Sequence, residues 1–363
     1  MEKNITYITY QTFPAHTANS IQTMTHIKHF SKLNWNVKLI YPLRNKESND
    51  NLEDLKNFYQ FNYDFDVHGT IHPLPFKKIK ILEKYNYLIS HLIWSYATTR
   101  KIKKNSLDKF FTRSEWVFYF LSRKNCKVIY ECHQLTNLKK SLITKSLKYK
   151  NSKLILLNSS MTKELINIDH TQVTVLSSAY DEDVFRYIEK EKALKKIIYV
   201  GSFFRFGISR GVENLLHLSQ KLNDHDIKLT VVANDIKNLS QFTNINYDQI
   251  DFYSNLKRTE ISNLFQECSV GLLINNESEH AEKYTSPLKY FEYISSGLNV
   301  VATENESHKK LPFDEKLFYF DREDESTFID AVLKAFDTKT TIPKDLDVYS
   351  MSNRVEKIIE LYS

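Results

Sequence analysis

The 363-residue chain is predicted to be an α/β protein made of two consecutive doubly wound units, each a parallel sheet covered by helices. Three observations predict it. Short β-branched or aromatic runs alternate with segments of helical periodicity, the pattern of parallel strands joined by crossover helices. The alternation starts afresh after Tyr180. The length is also long for one core and comfortable for two.

In the first unit, residues 5–10 read as a strand. Residues 20–33 read as a helix, with Ile21, Met24, Ile27, Lys28, Phe30 and Ser31 on or near one face. Residues 37–41 form the next expected strand, followed by strands at 109–112, 127–130 and 154–157. In the second unit, residues 196–201 read as a buried strand opening a loop, with a helix over 212–222. Further strands are expected at 227–232, 249–253, 270–274, 299–302 and 317–320. The last helix, 353–361, is amphipathic through Val355, Ile358, Ile359 and Leu361. The expected organisation is 1–180, 181–348 and a closing helix over 349–363. No sequence repeat, low-complexity tract or long flexible linker interrupts it.

The hydrophobic fraction of 42% and charged fraction of 26% are those of a soluble globular protein. No apolar run approaches the length of a membrane span. The start, Met1-Glu2-Lys3-Asn4, carries no signal-peptide pattern. Cys126, Cys132 and Cys268 form neither a metal spacing nor a disulfide framework. A reduced, cytoplasmic setting is the simplest expectation. Charge is uneven: residues 1–150 hold 25 Lys and Arg against 11 Asp and Glu, within a chain of net charge +6. The basic half suits either an anionic partner, such as a lipid surface, or a merely solvated basic surface.

The most informative segment is Tyr284-Thr285-Ser286-Pro287-Leu288-Lys289-Tyr290-Phe291-Glu292-Tyr293-Ile294-Ser295-Ser296-Gly297. It reads as a helix capped by Ser286, with Pro287 in the first helical position and Gly297 just past the end. Free N–H groups and the positive dipole end favour a phosphate there, and Lys289 adds a full charge. Glu292, three residues on, shares the face of Lys289 and can accept two hydrogen bonds from a ribose diol. An ordinary capped helix needs most of the same residues.

Three of the six glycines, Gly201, Gly207 and Gly211, fall in one loop between a strand and a helix. This is where α/β sheets bind ligands. The loop matches neither a dinucleotide fingerprint nor a P-loop. Arg205 and Arg210 are either a bidentate clamp on two phosphates or two surface arginines beside a turn. Loop and capped helix both sit at carboxyl-side strand ends of one expected sheet, so they can converge on one diphosphate.

These residues carry a resemblance. "YVGSFFRFGISRGVENLL" and "YTSPLKYFEYISSGLNVVAT" resemble the donor-binding domain of a GT-B glycosyltransferase, specifically glycosyltransferase family 4. "FFTRSEWVFYFL", "VIYECHQL", "LILLNSSMTKELI", "VLSSAYDEDVF" and "YSMSNRVEKIIELYS" are more weakly similar to its acceptor domain, interdomain segment and closing helix. The resemblance implies two Rossmann-like domains facing a central cleft, with the C-terminal helix crossing back to the first domain. It implies a retaining transferase with a nucleotide-diphosphate sugar as donor and a glycan or lipid-linked acceptor. No aspartate pair with metal-ligand spacing appears at the expected site, so no metal or other cofactor is expected. It also implies a role in bacterial-type cell-envelope polysaccharide synthesis.

Residue by residue, the resemblance gives Arg210 the place of a basic phosphate ligand and Glu292 that of the ribose ligand. Ser202 stands where the first basic ligand is usual, with Arg205 farther along the loop. Tyr284 stands where a sugar-contacting glutamate is usual, leaving more work to backbone N–H groups from Thr285 through Ser286, Pro287 and Leu288 to Lys289. His133 falls at a strand end where the family's histidine approaches the reacting centre. Glu131 either orients it or satisfies buried backbone. His133, Arg205, Arg210 and Lys289 are thus the expected catalytic residues.

In the loop after the first strand, His16, Asn19 and Ser20 are expected to bind acceptor hydroxyls, with Asn19 or Ser20 alternatively capping the following helix. Two basic segments, 77–104 (with Tyr85, Tyr87, Trp94 and Tyr96) and 139–150, either rest on anionic headgroups or present solvated faces. Peripheral contact at the inner face of the cytoplasmic membrane is expected on that first option; a nucleic-acid partner is not. A nucleotide-sugar epimerase and a non-catalytic sugar- or nucleic-acid-binding protein are the competing readings.

Overall fold

The computed structural model describes residues 3–44, 48–74, 83–103, 108–189, 195–205, 208–209, 212–234, 250–274 and 286–363. Two units emerge: Met1–Ser177 together with Met351–Ser363, and Ser178–Ser350.

The first unit holds a parallel sheet whose described strands run in the order β3-β2-β1-β4-β5-β6-β7. These are β1 (Asn4–Ile8), β2 (Asn36–Leu43), β3 (Asp66–Ile71), β4 (Lys109–Thr112), β5 (Lys127–Cys132), β6 (Ser152–Leu156) and β7 (Val173–Val175). Tyr7, Ile8, Leu39, Phe111, Ile129 and Leu154 fill its core. The helices are α1 (Ala18–Lys32), α2 (Leu52–Tyr59), α3 (Glu83–Arg100), α4 (Glu115–Arg123) and α5 (Asn137–Ser146). Sequence reading missed β3 and β7. Both are edge strands, and Gly69 and partial exposure break the apolar alternation of β3.

The second unit holds a parallel sheet of order β12-β11-β8-β13-β14-β15. Its strands are β8 (Lys196–Val200), β11 (Lys228–Val232), β12 (Ile250–Tyr253), β13 (Val270–Leu273), β14 (Asn299–Thr303) and β15 (Leu317–Phe320). Between β8 and β11 lie a two-strand ribbon, β9 (Phe204–Arg205) with β10 (Ile208–Ser209), and helix α6 (Val212–Lys221). Alternate residues of β8 enter different cores. Ile197 and Tyr199 pack with Leu216, Val231 and Phe328, whereas Ile198 and Val200 pack with Tyr290, Tyr293 and Ile294. A sheet buried on both faces explains the continuous apolar run of this strand. Helices α7 (Arg258–Gln266), α8 (Leu288–Ser295) and α9 (Glu325–Asp337) complete the unit.

The last helix, α10 (Met351–Glu360), belongs to the first unit and packs on α1. Its apolar face buries Met351, Val355 and Ile358. Arg354 is buried with them. It donates to the carbonyls of Ser177 at 2.8 Å and Leu176 at 3.3 Å, and pairs with Glu131 at 2.8 Å.

Candidate functional site

In the second unit, the chain leaves β8 at Gly201 and Ser202. Three bonds fix this exit. Gly201 N–H donates to Val232 O at 3.0 Å, the Tyr199 hydroxyl donates to Ser202 O at 3.0 Å, and Val200 N–H donates to the Tyr293 hydroxyl at 3.1 Å. Tyr293 comes from α8, so that helix is tied to the loop-bearing strand. Its ring lies flat against Gly271 of β13, where a Cβ would stand 2.5 Å from the ring's Cγ. Only glycine leaves room for that approach. The backbone of Arg205 lies in β9, while Arg210, Gly207, Gly211, Tyr284 and Thr285 fall outside the described residues.

Helix α8 departs from the expected cap. It begins at Leu288, with Pro287 in the capping position and no side-chain cap bond. The Ser286 hydroxyl instead accepts from Ser178 N–H at 2.8 Å, and the Ser178 hydroxyl donates to Ser286 O at 2.6 Å. This pairing within the unit anchors the segment that enters the helix. The far end is as expected: Gly297 takes φ +81° just beyond the last turn.

Glu292 is 1% exposed and is gripped by two cations. Lys289 Nζ donates to Oε2 at 2.6 Å and Arg258 Nη2 to Oε1 at 3.2 Å. Arg258 also donates through Nη1 to buried Asp181 at 3.0 Å, and its guanidinium lies over the Phe185 ring. The structure thus joins Lys289 and Glu292 as their spacing predicts and adds Arg258 and Asp181, which sequence reading missed. Nothing in the local pattern around Arg258 marks it. Asp181 stands in the quoted "VLSSAYDEDVF" segment without a role of its own.

In the first unit, His133 follows the end of β5, and its Nε2 lies 2.6 Å from Glu131 Oε1. Arg113 Nη2 stands 2.9 Å from its Nδ1 and 2.5 Å from its Nε2, while Nη1 donates to Asn19 O at 3.3 Å. Burial, then the Arg113 charge, pushes the His133 pKa down to about 4. A neutral ring with hydrogen on Nε2 donates to the Glu131 carboxylate. Burial alone would raise the pKa of Glu131, but Arg354, His26 and His133 outweigh it and hold the group well below the usual carboxylate range. Glu131 therefore orients His133. Arg113 was within a quoted segment, and its place directly after β4 was the signal that could have singled it out.

The acceptor-side loop is also revised. Thr17, not Asn19 or Ser20, caps α1, accepting from Ser20 N–H at 3.1 Å. Ser20 is buried, with its hydroxyl 2.8 Å from that of Thr17. His16 is exposed and packs against Phe58 with ring centroids 4.5 Å apart. Buried Asn19 Oδ1 has no hydrogen-bond partner. Arg44 braces the loop start, donating to Thr12 Oγ1 and Tyr10 O at 2.8 and 3.1 Å.

Residues 194–338 match the family model described as glycosyl transferases group 1. No curated protein matches the chain. Among solved structures, it is similar to a sucrose-phosphate synthase from Thermosynechococcus elongatus, at 14% identity and TM-score 0.67 over 100% of this chain and 95% of that one. It is also similar to TarM, at 9% identity and TM-score 0.72 over 100% and 99%. WaaG, a glycosyltransferase involved in lipopolysaccharide biosynthesis, aligns at 16% identity and TM-score 0.57 over 98% and 99%. At these identities the structural likenesses establish the fold, two Rossmann-like units along the whole chain, and the family model adds the activity class. The chain is a glycosyltransferase of GT-B fold, with a glycosyl transferases group 1 domain over residues 194–338 and a likeness to glycosyltransferase family 4.

Proposed function

We propose that this chain is a retaining glycosyltransferase that moves a sugar from a nucleotide-diphosphate sugar to a glycan or glycolipid acceptor in cell-envelope polysaccharide synthesis. The second unit binds the donor and the first binds the acceptor. Glu292 carries the donor assignment: a buried carboxylate, oriented by Lys289 and Arg258, lies one turn from a helix start that no side chain caps. A carboxylate held this way accepts from a ribose diol, while the helix start and Lys289 receive a diphosphate. A TarM structure from S. aureus that contains UDP and α-GlcNAc-glycerol supports this choice of donor class by fold analogy.

In the proposed reaction, the bond from the anomeric carbon to the diphosphate oxygen breaks as the acceptor oxygen bonds to that carbon on the same face. The acceptor proton passes to the leaving phosphate. Lys289, Arg205, Arg210 and the α8 N-terminus stabilise the charge that develops there, without a metal. Gly201 and Ser202 shape the donor loop, with Tyr284, Thr285, Ser286, Pro287 and Leu288 beside the donor. Neutral His133 is the first unit's catalytic candidate, and His16, Asn19 and Ser20 are its acceptor ligands. The protein works in the cytoplasm, with weak contact at an anionic membrane surface.

The test is a thermal-shift panel of nucleoside diphosphates and their sugars, followed by donor hydrolysis. The expected result is stabilisation by one nucleotide family and slow release of its sugar. Absence of stabilisation by every nucleotide would remove the donor assignment.

A further inference from the structure

The strongest unassigned feature is the outer surface of α3 and α4 in the first unit. Tyr85, Ile89 and Tyr96 are spaced by four and seven residues, so they line one face of α3. They are 65%, 50% and 54% exposed, whereas Ser90, His91, Trp94 and Ser95 on the other side are buried. Trp94, grouped with the surface aromatics on sequence alone, is a core residue that donates to Thr70 Oγ1 at 2.7 Å.

Helix α4 repeats the arrangement. Val117, Phe118 and Leu121 are buried, while Trp116, Tyr119 and Phe120 are half-buried and Arg123 is exposed at offsets of three, four and seven. The two stripes touch: the Tyr96 and Phe120 rings meet edge to face at 5.5 Å, and Phe120 stacks on Trp116 at 6.1 Å. The Arg123 guanidinium lies over the Tyr119 ring.

The surrounding charge is mostly positive. Residues 83–150 hold 15 Lys and Arg against four Asp and Glu. Two of those four, Glu115 and Glu131, are buried, at 6% and 1% exposure. Arg100, Lys101, Lys103, Arg123, Lys145 and Lys148 are exposed. Tyrosines and tryptophans backed by lysine and arginine are the residue types that settle at a bilayer's headgroup level. Anionic lipid attracts such cations. A soluble polyanion would use the charge but gives the exposed tyrosines and Ile89 nothing to enter.

We propose that the α3–α4 face docks on an anionic lipid bilayer, its aromatic stripe entering the headgroup layer and its cations resting on lipid phosphates. This deepens, and rests on, the reading of the chain as a transferase with a membrane-borne acceptor. No helix of the described residues is long and apolar enough to cross a membrane, and the proposed contact is with the surface.

The test floats the full-length protein with vesicles of phosphatidylcholine alone or mixed equally with phosphatidylglycerol. The protein should float with the mixed vesicles only, and raised salt should release it. A Tyr85→Ser, Tyr96→Ser double variant should lose partitioning about tenfold at an unchanged Tm. Ile89→Trp should partition more strongly and show a blue-shifted emission on mixed vesicles. Failure of the wild type to float overturns the proposal, as does equal flotation of the double variant. Binding to heparin that ignores both substitutions, without flotation, assigns the charge to a soluble polyanion instead. A nucleotide thermal shift run in parallel separates the two claims: stabilisation without flotation removes the docking face and leaves the donor site standing.

Discussion

Arg258 ties two carboxylates, Asp181 and Glu292, that the fold takes almost wholly out of water. Removing one member of a buried ion cluster leaves the others unpaired, which costs about 3–5 kcal/mol. Arg258→Ala should therefore lower the unfolding free energy of the second unit by that order, read as a lower urea midpoint, with Arg258→Lys recovering part of it. Equal stability of wild type and Arg258→Ala would show the cluster to be energetically idle. Glu292→Ala acts differently: calorimetric titration should find weaker binding of the stabilising nucleoside diphosphate, and unchanged affinity would detach Glu292 from the donor. His133 has a related dependence. Its neighbour Glu131 fixes the ring, so Glu131→Gln should alter the pH profile of transfer more than it alters the KM for the donor. A profile identical to wild type would reduce Glu131 to a structural role.

At the scale of elements, α8 is held to β8 and β13 by the Tyr293 ring and hydroxyl, and Gly271 leaves the space they need. Gly271→Ala places a methyl group against that ring and should cost about 1–3 kcal/mol by overpacking, read as a lowered Tm. The variant should also weaken nucleotide binding, because α8 shifts with its tyrosine; an unshifted Tm would contradict the close approach. Much of this level was legible in the sequence. The apolar runs of β4 and β15 gave those strands to the residue, and the left-handed Gly297 followed from its place after a periodic stretch. What escaped was set by partners far along the chain. Ser286 looks like a cap by local rules, yet Ser178 takes its hydroxyl. Thr17 outcompetes Asn19 and Ser20 because the helix starts earlier than its apolar periodicity does. Arg258 and Arg354 carry no local pattern at all, since an arginine drawn inside is defined by the carboxylate it meets.

At the scale of the whole molecule, acid should unfold the protein early. Burial is the leading cause that holds His26 at about 3 and His91, His133 and His308 at about 4. An unfolded chain protonates these rings near pH ~6.5, so between there and about pH 4 it binds more protons than the folded one. Stability must fall across that window, each ring contributing up to about 1.4 kcal/mol per pH unit. Glu131, with its depressed pKa, adds stability present above its unfolded value and lost as pH falls through its folded one, at still lower pH. Urea midpoints measured from neutral to about pH 4.5 should decline steadily, and a flat series would refute the assignment. The placement of Arg354 has a consequence for synthesis. It contacts His26, which leaves the ribosome 328 residues earlier, and it neutralises the buried Glu131. The first unit must therefore wait, with Glu131 held by His133 and Arg113 but still short of Arg354, while the entire second unit is translated. A nascent chain arrested before Met351 should be an open, chaperone-bound and protease-sensitive species, and the last helix the step that releases it.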